Sequence, residues 1–183
     1  STAKELASAM AYGKMLYRDP TFTKGNNSMG VYNNTGNGLV SLTRMADSTA
    51  PNGSGYVIKI QTTGTATPGN GGFLFGTTCS NSKVFVTRII AKIPVGHNIQ
   101  FATNSIGTGG SSRWLTANAG TGDWCEYIYK VVCGTANFSS THYYYLDGTQ
   151  GTTDAPVVWY VAYATVFDLT TAEKYTTTID ANG

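Results

Sequence analysis

The chain has 183 residues, the size of one ordinary domain, and is long enough to bury a hydrophobic core. Hydrophobic residues make up 41% and charged residues only 12%, about half the usual charged share. The net charge is +2 and the basic residues are scattered, which argues against a nucleic-acid partner. No apolar run is long enough to cross a membrane, so we expect no membrane insertion.

Residues 1–18 predict an N-terminal helix. Thr2 and Glu5 fit a capping box, and Pro20 is expected to end the helix. Apolar or small residues follow one another at intervals of three and four, as in a coiled-coil seam: Ala3, Leu6, Met10, Gly13 and Tyr17. Two interpretations stay open. The helix either lies on the core of its own domain or forms the end of an oligomeric stalk.

From residue 19 to residue 170 the pattern predicts an all-β domain. Runs rich in Gly and Asn separate short apolar runs at regular spacing, which is typical of an antiparallel β-sandwich. We expect nine strands, near residues 38–46, 55–63, 72–78, 83–93, 98–104, 112–116, 123–133, 142–147 and 156–168. The last of these is apolar on both faces and should be a central strand. Residues 171–183 are expected to form a C-terminal tail.

The chain has three cysteines, Cys79, Cys125 and Cys133. A disulfide framework normally leaves no cysteine over, and no Cys-x-x-Cys pair is present. We therefore expect the cysteines to be small buried residues that stay reduced, in a protein that folds in a reducing compartment.

Groups suited to catalysis are sparse, and we expect no enzymatic activity and no cofactor. A glycosidase needs two carboxylates that face each other across a sugar. Asp123 and Glu126 lie three residues apart and so fall on opposite faces of a regular strand. Either could pair with Asp147 or Asp154, which leaves a glycan-cleaving enzyme as an alternative.

Metal chemistry has little support in the sequence. The chain has two histidines, no Gly-x-Ser-x-Gly elbow and no closely spaced zinc ligands, so we assign no metal site. A calcium ion between Asp19, ahead of the first expected strand, and Asp168, at the end of the last, stays open.

Aromatic side chains carry the case for ligand binding. In the run 142–147, Tyr143 and Tyr145 share one strand face and Tyr144 takes the other, so at least one tyrosine faces outward. A tyrosine exposes an apolar ring and a hydroxyl together, which suits sugars and protein surfaces alike. Tyr143 and Tyr145 are therefore candidate ligand-binding residues.

Two tryptophans flank one loop. In strand 123–133 the set Cys125, Tyr127, Tyr129 and Val131 is the more apolar and predicts the core face. Trp124 then belongs to the mixed face. We expect one tryptophan to plug the sandwich and the other to lie partly exposed, and we favour Trp114 as the exposed one because Arg113 and a Gly-Ser loop surround it.

Cationic side chains complete the candidate site. In strand 83–93, Arg88 and Lys92 point to the same side, toward water or into a groove. The predicted ligand-binding residues are Arg88, Arg113, Trp114, Trp124, Tyr143 and Tyr145.

Several motifs resemble those of known modules. Gly120 to Tyr127 read Gly-Thr-Gly-Asp-Trp-Cys-Glu-Tyr, and Trp159 to Val166 read Trp-Tyr-Val-Ala-Tyr-Ala-Thr-Val. Over about residues 17 to 169 the chain resembles modules of tailed-phage and prophage tail fibres. More loosely, it is similar to jelly-roll carbohydrate-binding modules, in which such motifs open one strand and form the closing strand.

This resemblance implies a jelly roll near a fibre tip that binds a bacterial surface glycan or an outer-membrane protein without catalysis. It also implies a homotrimer, a location in the virion and folding in the host cytoplasm. Two alternatives stay open, namely a structural connector within a fibre and a carbohydrate-binding module of a secreted enzyme.

Overall fold

A computed structural model describes residues 2–33, 40–63, 71–79, 82–135, 138–147 and 155–170. This part of the chain contains one helix, α1 (Thr2–Tyr12), and eleven strands: β1 (Lys14–Met15), β2 (Gly30–Asn33), β3 (Val40–Ala46), β4 (Tyr56–Thr62), β5 (Gly71–Cys79), β6 (Val84–Lys92), β7 (Ile99–Thr103), β8 (Ser111–Trp114), β9 (Trp124–Val132), β10 (Phe138–Leu146) and β11 (Val157–Asp168). Within these residues no helix is long and apolar enough to span a bilayer.

The strands form two antiparallel sheets packed face to face. The larger sheet has the order β3-β4-β11-β6-β9-β8, with β1 paired to the second half of β11. The smaller sheet has the order β2-β5-β10-β7. Apart from the pairs β3–β4 and β8–β9, which are neighbours in the larger sheet, successive strands alternate between the two sheets in the manner of a jelly roll, so the predicted β-sandwich is confirmed.

All nine predicted strands are present within four residues of their expected ends. The prediction missed β1 and β2. These strands are two and four residues long, and β2 begins in a run of Asn, Ser and Gly that reads as a loop. Both segments are strands because each pairs with a longer neighbouring strand. Strand β1 pairs with β11, and β2 pairs with β5.

The core between the sheets is aromatic. Phe73 of β5 lies 5.4 Å from Tyr144 of β10, and Phe101 of β7 lies 4.1 Å from Tyr129 of β9, between ring centroids. Such pairs contribute about 0.5–1.5 kcal/mol each beyond the area they bury. The prediction that Tyr127 and Tyr129 face the core is confirmed, since both side chains are buried against it.

Strand β11 is central, as its apolar sequence predicts. Trp159 and Val161 are fully buried on the inner face, and Phe167 is buried on the outer face. On one side, residues 157–161 of β11 pair with β4 and its last two residues pair with β1; on the other side, residues 160–168 pair with β6.

The helix ends at Tyr12, before the predicted end at Pro20. Gly13 follows it, and the Gly13 N–H donates to the carbonyls of Ser8 and Ala9. A Cβ atom at position 13 would lie 2.6 Å from the Ala9 carbonyl oxygen, so glycine is required there. The chain then extends as β1, because pairing with β11 is available one residue later.

Helix α1 packs on the outer face of the larger sheet, as expected if it lies on its own domain. Ala9 is fully buried in a cluster with Val86, Ile128 and Phe167, and Leu6 packs against that cluster. At its N-terminus, the Thr2 hydroxyl donates to the Leu115 carbonyl at 2.6 Å. Two positions of the predicted seam, Ala3 and Met10, are exposed instead.

Helix α1 also forms an ion pair with strand β9 of the larger sheet. Lys130 Nζ lies 2.9 Å from Glu5 Oε1, and the two side chains are only 11% and 17% exposed. Removing one partner of so sheltered a pair would take a close opposite charge away from a group that is largely out of water.

The cysteine prediction is wrong for Cys133, which is disulfide-bonded. Cys125 is a free thiol on the inner face of β9, with its sulfur 3.1 Å from the Thr121 hydroxyl. The odd cysteine count therefore reflects one free thiol beside a disulfide.

Candidate functional site

The outer face of the larger sheet has a covered half and an uncovered half. Helix α1 covers the half around Val86 and Ile128. The other half presents aromatic and charged side chains, none of which is buried. We call this half the open face and define it by Lys59, Arg88, Lys92, Trp124, Glu126, Tyr160 and Tyr163.

One row of the open face crosses four neighbouring strands in register. Tyr160 of β11 is the Cα partner of Lys59 on one side and of Lys92 on the other, and Lys92 is the partner of Trp124. Partners in a ladder project from the same face, and adjacent strands lie about 4.8 Å apart. The two aromatic side chains and the two lysines therefore alternate along a line about 14 Å long.

A β-bulge adds a second tyrosine to this face. The register between β11 and β6 shifts between Val161 and Tyr163. Without the shift, positions 160 and 163 would point to opposite faces, because side chains alternate along a strand. The extra residue, Ala162, brings Tyr163 to the same side as Tyr160.

The second row carries an ion pair over this tyrosine. Arg88 Nε donates to Glu126 Oε2 at 2.7 Å, with the two side chains 21% and 37% exposed. The Arg88 guanidinium carbon also lies 4.7 Å from the centre of the Tyr163 ring. Exposure limits such a pair to about 1 kcal/mol of stability or less. The contacts of Arg88 with Glu126 and Tyr163 therefore matter less for stability than for holding the guanidinium group and the tyrosine ring in place.

The loop 47–55 borders the open face. The Asn52 side-chain amide donates to the Ala162 carbonyl at 2.7 Å and to the Tyr56 carbonyl at 2.9 Å, so the loop is tied to the bulge. Asp47 opens this loop. Hydrogen bonds from the Thr49 hydroxyl and backbone N–H, with a smaller effect from Lys92, hold the pKa of Asp47 below its usual value.

The outer face of the smaller sheet carries a separate tyrosine cluster. The Tyr32 ring lies 4.5 Å from that of Tyr143 and 5.4 Å from that of Tyr145. The Tyr143 hydroxyl hydrogen-bonds Asn104 at 3.1 Å. Burial, and then the nearby Asp147 carboxylate, raise the pKa of Tyr145. These rings pack on one another, on the opposite side of the sandwich from the open face.

The structure does not bring the six predicted site residues together. Arg88 and Trp124 lie on the open face, whereas Tyr143 and Tyr145 lie on the smaller sheet. Arg113 is 63% exposed and lies beside helix α1, 3.5 Å from Glu5.

The choice of Trp114 as the exposed tryptophan is wrong. Its ring lies 4.7 Å from the Tyr129 ring and packs against the core cluster. As the Cα partner of Tyr129, Trp114 shares the inner face of the sheet, while Trp124 projects from the outer face.

Sequence reasoning did not single out Tyr160, Tyr163 or Lys59. The motif that contains the two tyrosines was recognised, but a strand that is apolar on both faces hides which residues face outward. The signal that was missed is a Tyr-Val-Ala-Tyr spacing of three, which places both rings on one face only if a bulge intervenes.

Asp19 and Asp168 do not meet, which removes the calcium hypothesis. The carbonyl of Pro20, next to Asp19, accepts from the Ala164 N–H, four residues or about 13 Å along β11 from Asp168. The Asp19 carboxylate accepts hydrogen bonds from the backbone N–H groups of Thr23, Lys24 and Gly25. The Asp168 carboxylate accepts hydrogen bonds from the backbone N–H and the hydroxyl of Thr170. Within the described ranges no three His, Cys, Asp or Glu side chains cluster as metal ligands.

An open surface depression of about 450 Å³ lies beside Asp19, lined by residues of the segment 18–28. The Asp19 carboxylate turns toward its own loop, and the Asn27 side chain bonds the Asp19 N–H and the Ala164 carbonyl. These polar groups hold the loop on the sandwich, which makes the depression a structural feature.

No protein-family model matches the chain, and no curated protein matches its sequence. Solved structures match its fold. The CBM22-1 xylan-binding domain of Paenibacillus barcinonensis Xyn10C superposes with a TM-score of 0.52 at 17% identity, covering 85% of this chain and 95% of that domain.

Two further structures are similar to part or most of the chain. The CBM22-1 and GH10 modules of Clostridium thermocellum endo-1,4-β-D-xylanase 10B, complexed with xylohexaose, match with a TM-score of 0.50 at 11% identity, over 86% of this chain and 29% of that one. The enzymatically active domain of bacteriophage CBA120 tailspike protein 4 matches at 11% identity over 76% of this chain and 19% of that one. Its TM-score of 0.39 is too low to support an argument. The chain therefore has the jelly-roll fold of carbohydrate-binding modules.

Proposed function

We propose that this chain is a non-catalytic glycan-binding module and that the open face is its binding surface. The observation that carries the proposal is the half-uncovered outer face of the larger sheet, where Trp124, Tyr160 and Tyr163 are partly exposed among charged side chains. Exposed aromatic groups held on a rigid sheet, with polar groups beside them, are typical of recognition surfaces.

The chemistry of this face suits sugars. A pyranose ring offers an apolar C–H face to an aromatic ring and a rim of hydroxyl groups to polar side chains. Arg88 supplies donors and Glu126 supplies acceptors beside the Tyr163 ring. An exposed, open surface predicts weak binding at one site, with a Kd of about 1 mM or −4 kcal/mol.

The carboxylates of this region do not support hydrolysis. Glycosidases need one carboxyl that is protonated as a general acid and a second across the sugar. Glu126 is engaged by Arg88, and the pKa of Asp47 is lowered, which keeps that carboxyl ionised. A general acid requires the opposite shift, so we assign binding without cleavage.

Two biological settings fit a glycan-binding jelly roll. The first is the head of a phage tail fibre that binds a bacterial surface glycan as a homotrimer, where three weak sites would act together. The second is a module of a secreted enzyme. The disulfide at Cys133 favours the second setting, since disulfides form in oxidising compartments, and so does the packing of Leu6 inside its own domain.

Sedimentation equilibrium separates the two settings. A monomer of 19.4 kDa supports a secreted module, and a mass three times larger supports a fibre head. A trimer that leaves Trp124 and Tyr160 open to solvent preserves the binding proposal. A trimer that buries both rings favours a structural connector.

Titration calorimetry tests the binding proposal. The probes are soluble polysaccharides, beginning with xylan because the matched domain of Paenibacillus barcinonensis is a xylan-binding one. We expect Trp124→Ala and Tyr160→Ala each to weaken binding by about thirtyfold, as loss of an aromatic hot spot costs about 2 kcal/mol. Tyr143→Ala, on the opposite face, is the matched control and should bind as the wild type does. Binding that is lost only with Tyr143→Ala would move the site to the smaller sheet.

A further inference from the structure

We infer that the open face selects glycans that carry carboxylates, such as polymers of uronic acids, and that Lys59 and Lys92 are the residues that recognise them. This inference rests on the proposed function and narrows its ligand class.

The two lysines flank one aromatic ring. Lys59 and Lys92 are the Cα partners of Tyr160 on its two sides, which places their backbones about 10 Å apart with the tyrosine between them. A sugar that stacks on Tyr160 would have an ammonium group within reach on either side. A carboxylate on that sugar, or on the next sugar along the row toward Trp124, would then meet a cation.

In the part of the chain that the structure describes, neither lysine has an anionic partner. Within the described residues, no carboxylate oxygen lies within 4.0 Å of the ammonium group of Lys59 or Lys92, whereas Lys130 is paired with Glu5 and Arg88 with Glu126. The charge of Lys92 acts on Asp47 only as the smallest of the effects on that carboxyl, which accepts hydrogen bonds from Thr49.

The charges of this region sum to a positive value. Lys59, Lys92 and Arg88 contribute three positive charges, and Glu126 and Asp47 contribute two negative charges, which leaves a net charge of +1. The net positive charge is concentrated on Lys59 and Lys92, which lie on either side of Tyr160 and have no anionic partner among the described residues.

Partial burial makes these charges selective. Both lysine side chains are partly buried. A neutral sugar bound beside them would displace water from the ammonium groups and replace it with weaker hydrogen bonds. A carboxylate would replace that water with a charge-assisted hydrogen bond, which is shorter and stronger than a neutral one. A flexible lysine can reach carboxylates in several ring positions, which suits a polymer with varied linkage.

The test compares three polymers by titration calorimetry, at low and at high salt. They are polygalacturonate, the same polymer after chemical reduction of its carboxyl groups to alcohols, and polyglutamate, which has carboxylates but no sugar rings. We expect wild-type protein to bind polygalacturonate most tightly, the reduced polymer more weakly and polyglutamate weakest. High salt should narrow the difference between the first two, because salt screens exposed charges.

Variants assign the preference to the two lysines. Lys59→Gln and Lys92→Gln should each reduce binding to polygalacturonate by about two- to fivefold and should change binding to the reduced polymer by a smaller factor. Lys14→Gln is the matched control, since Lys14 is an exposed lysine of β1 outside the open face, and it should change neither. Thermal unfolding confirms that each variant is folded.

The outcomes distinguish selection of acidic glycans from glycan binding itself. Equal binding to both polysaccharides, with no effect of either lysine variant, overturns acid selection and leaves glycan binding intact. Equal binding of polyglutamate and polygalacturonate, or an equal effect of Lys14→Gln, shows charge attraction alone and also overturns the inference. Failure of the protein to bind either polysaccharide overturns both.

Discussion

Trp114 and Trp124 lie on adjacent strands of the larger sheet but project from opposite faces. Trp114 is the Cα partner of Tyr129 and packs inward against its ring, whereas Trp124 is the partner of Lys92 and projects outward. The same loop therefore joins a tryptophan that holds the sandwich together to one that is free to meet a ligand.

This difference predicts separate effects of the two tryptophans on stability. Trp114→Ala removes a ring that contacts three core tyrosines, and we expect a loss of about 3 kcal/mol in the free energy of unfolding. Trp124→Ala should stay within about 0.5 kcal/mol of wild type, because that ring is partly exposed and belongs to neither core cluster. Urea denaturation measures both, and equal losses would show that Trp124 also supports the core.

The disulfide at Cys133 predicts a response to reductant. A native disulfide contributes about 2–4 kcal/mol, so reduction should lower the Tm by roughly 4–16 °C for a domain of this size. Cys125→Ser is the control, since Cys125 is the free thiol, and it should keep the full response. A Tm that does not move with reductant would remove the argument for an oxidising compartment.

His142 predicts a loss of stability in mild acid. Its ring is fully buried, 5.7 Å from Phe85 and 5.3 Å from Phe101, and neither ring nitrogen has a hydrogen-bond partner in the described part of the chain. This burial lowers the pKa of His142 from 6.5 to about 4. Between these two values the unfolded chain binds a proton that the folded chain does not. The free energy of unfolding is therefore not reduced by this group above pH 6.5. As the pH falls from 6.5 toward 4, it decreases by up to about 1.4 kcal/mol per pH unit.

Thermal unfolding across this pH range, with two variants, checks the assignment to His142. His142→Phe should flatten the dependence and cost little at neutral pH, because it replaces an unsatisfied polar ring with an apolar ring of similar shape. His97→Asn should retain the dependence, since the His97 ring is partly exposed and bonds the Asp147 carbonyl. The reverse pattern would assign the titration to His97.

The ion pair beneath helix α1 predicts that the helix is part of the domain. Glu5→Ala would remove the carboxylate 2.9 Å from the Lys130 ammonium group, whose side chain is only 11% exposed, and we expect a cost of about 3 kcal/mol in the free energy of unfolding. Met10→Ala changes a side chain that is 61% exposed and should cost less than about 0.5 kcal/mol. If α1 were instead held by partner chains, Met10→Ala would lower the oligomeric mass and Glu5→Ala would leave stability unchanged.

The fold was predictable because its strands follow simple rules. Alternation placed Tyr127 and Tyr129 on the core face and Trp124 on the opposite, mixed face, and runs of Gly and Asn separated the strands. The helix boundary was missed because Gly13 ends α1 through a local contact with Ala9, and the prediction relied on Pro20.

The candidate site was less predictable because it depends on register between distant strands. Lys59, Tyr160 and Lys92 come from three segments, and only the ladders of the larger sheet place them in one row. The role of Tyr163 depends on a bulge, which adds one residue without a distinctive sequence. Trp114 was misplaced because polar neighbours in sequence suggested exposure, whereas its position opposite Tyr129 decides its direction.

The most direct test of the central claim is an NMR titration of the indole N–H signals with a bound oligosaccharide. The chain has three tryptophans, and Trp→Phe variants assign their signals. The open face predicts that the Trp124 signal shifts with ligand while those of Trp114 and Trp159, which face the core, stay in place. Shifts that spare Trp124 and appear instead in the backbone amides around Tyr143 and Tyr145 would contradict it and place the binding surface on the smaller sheet.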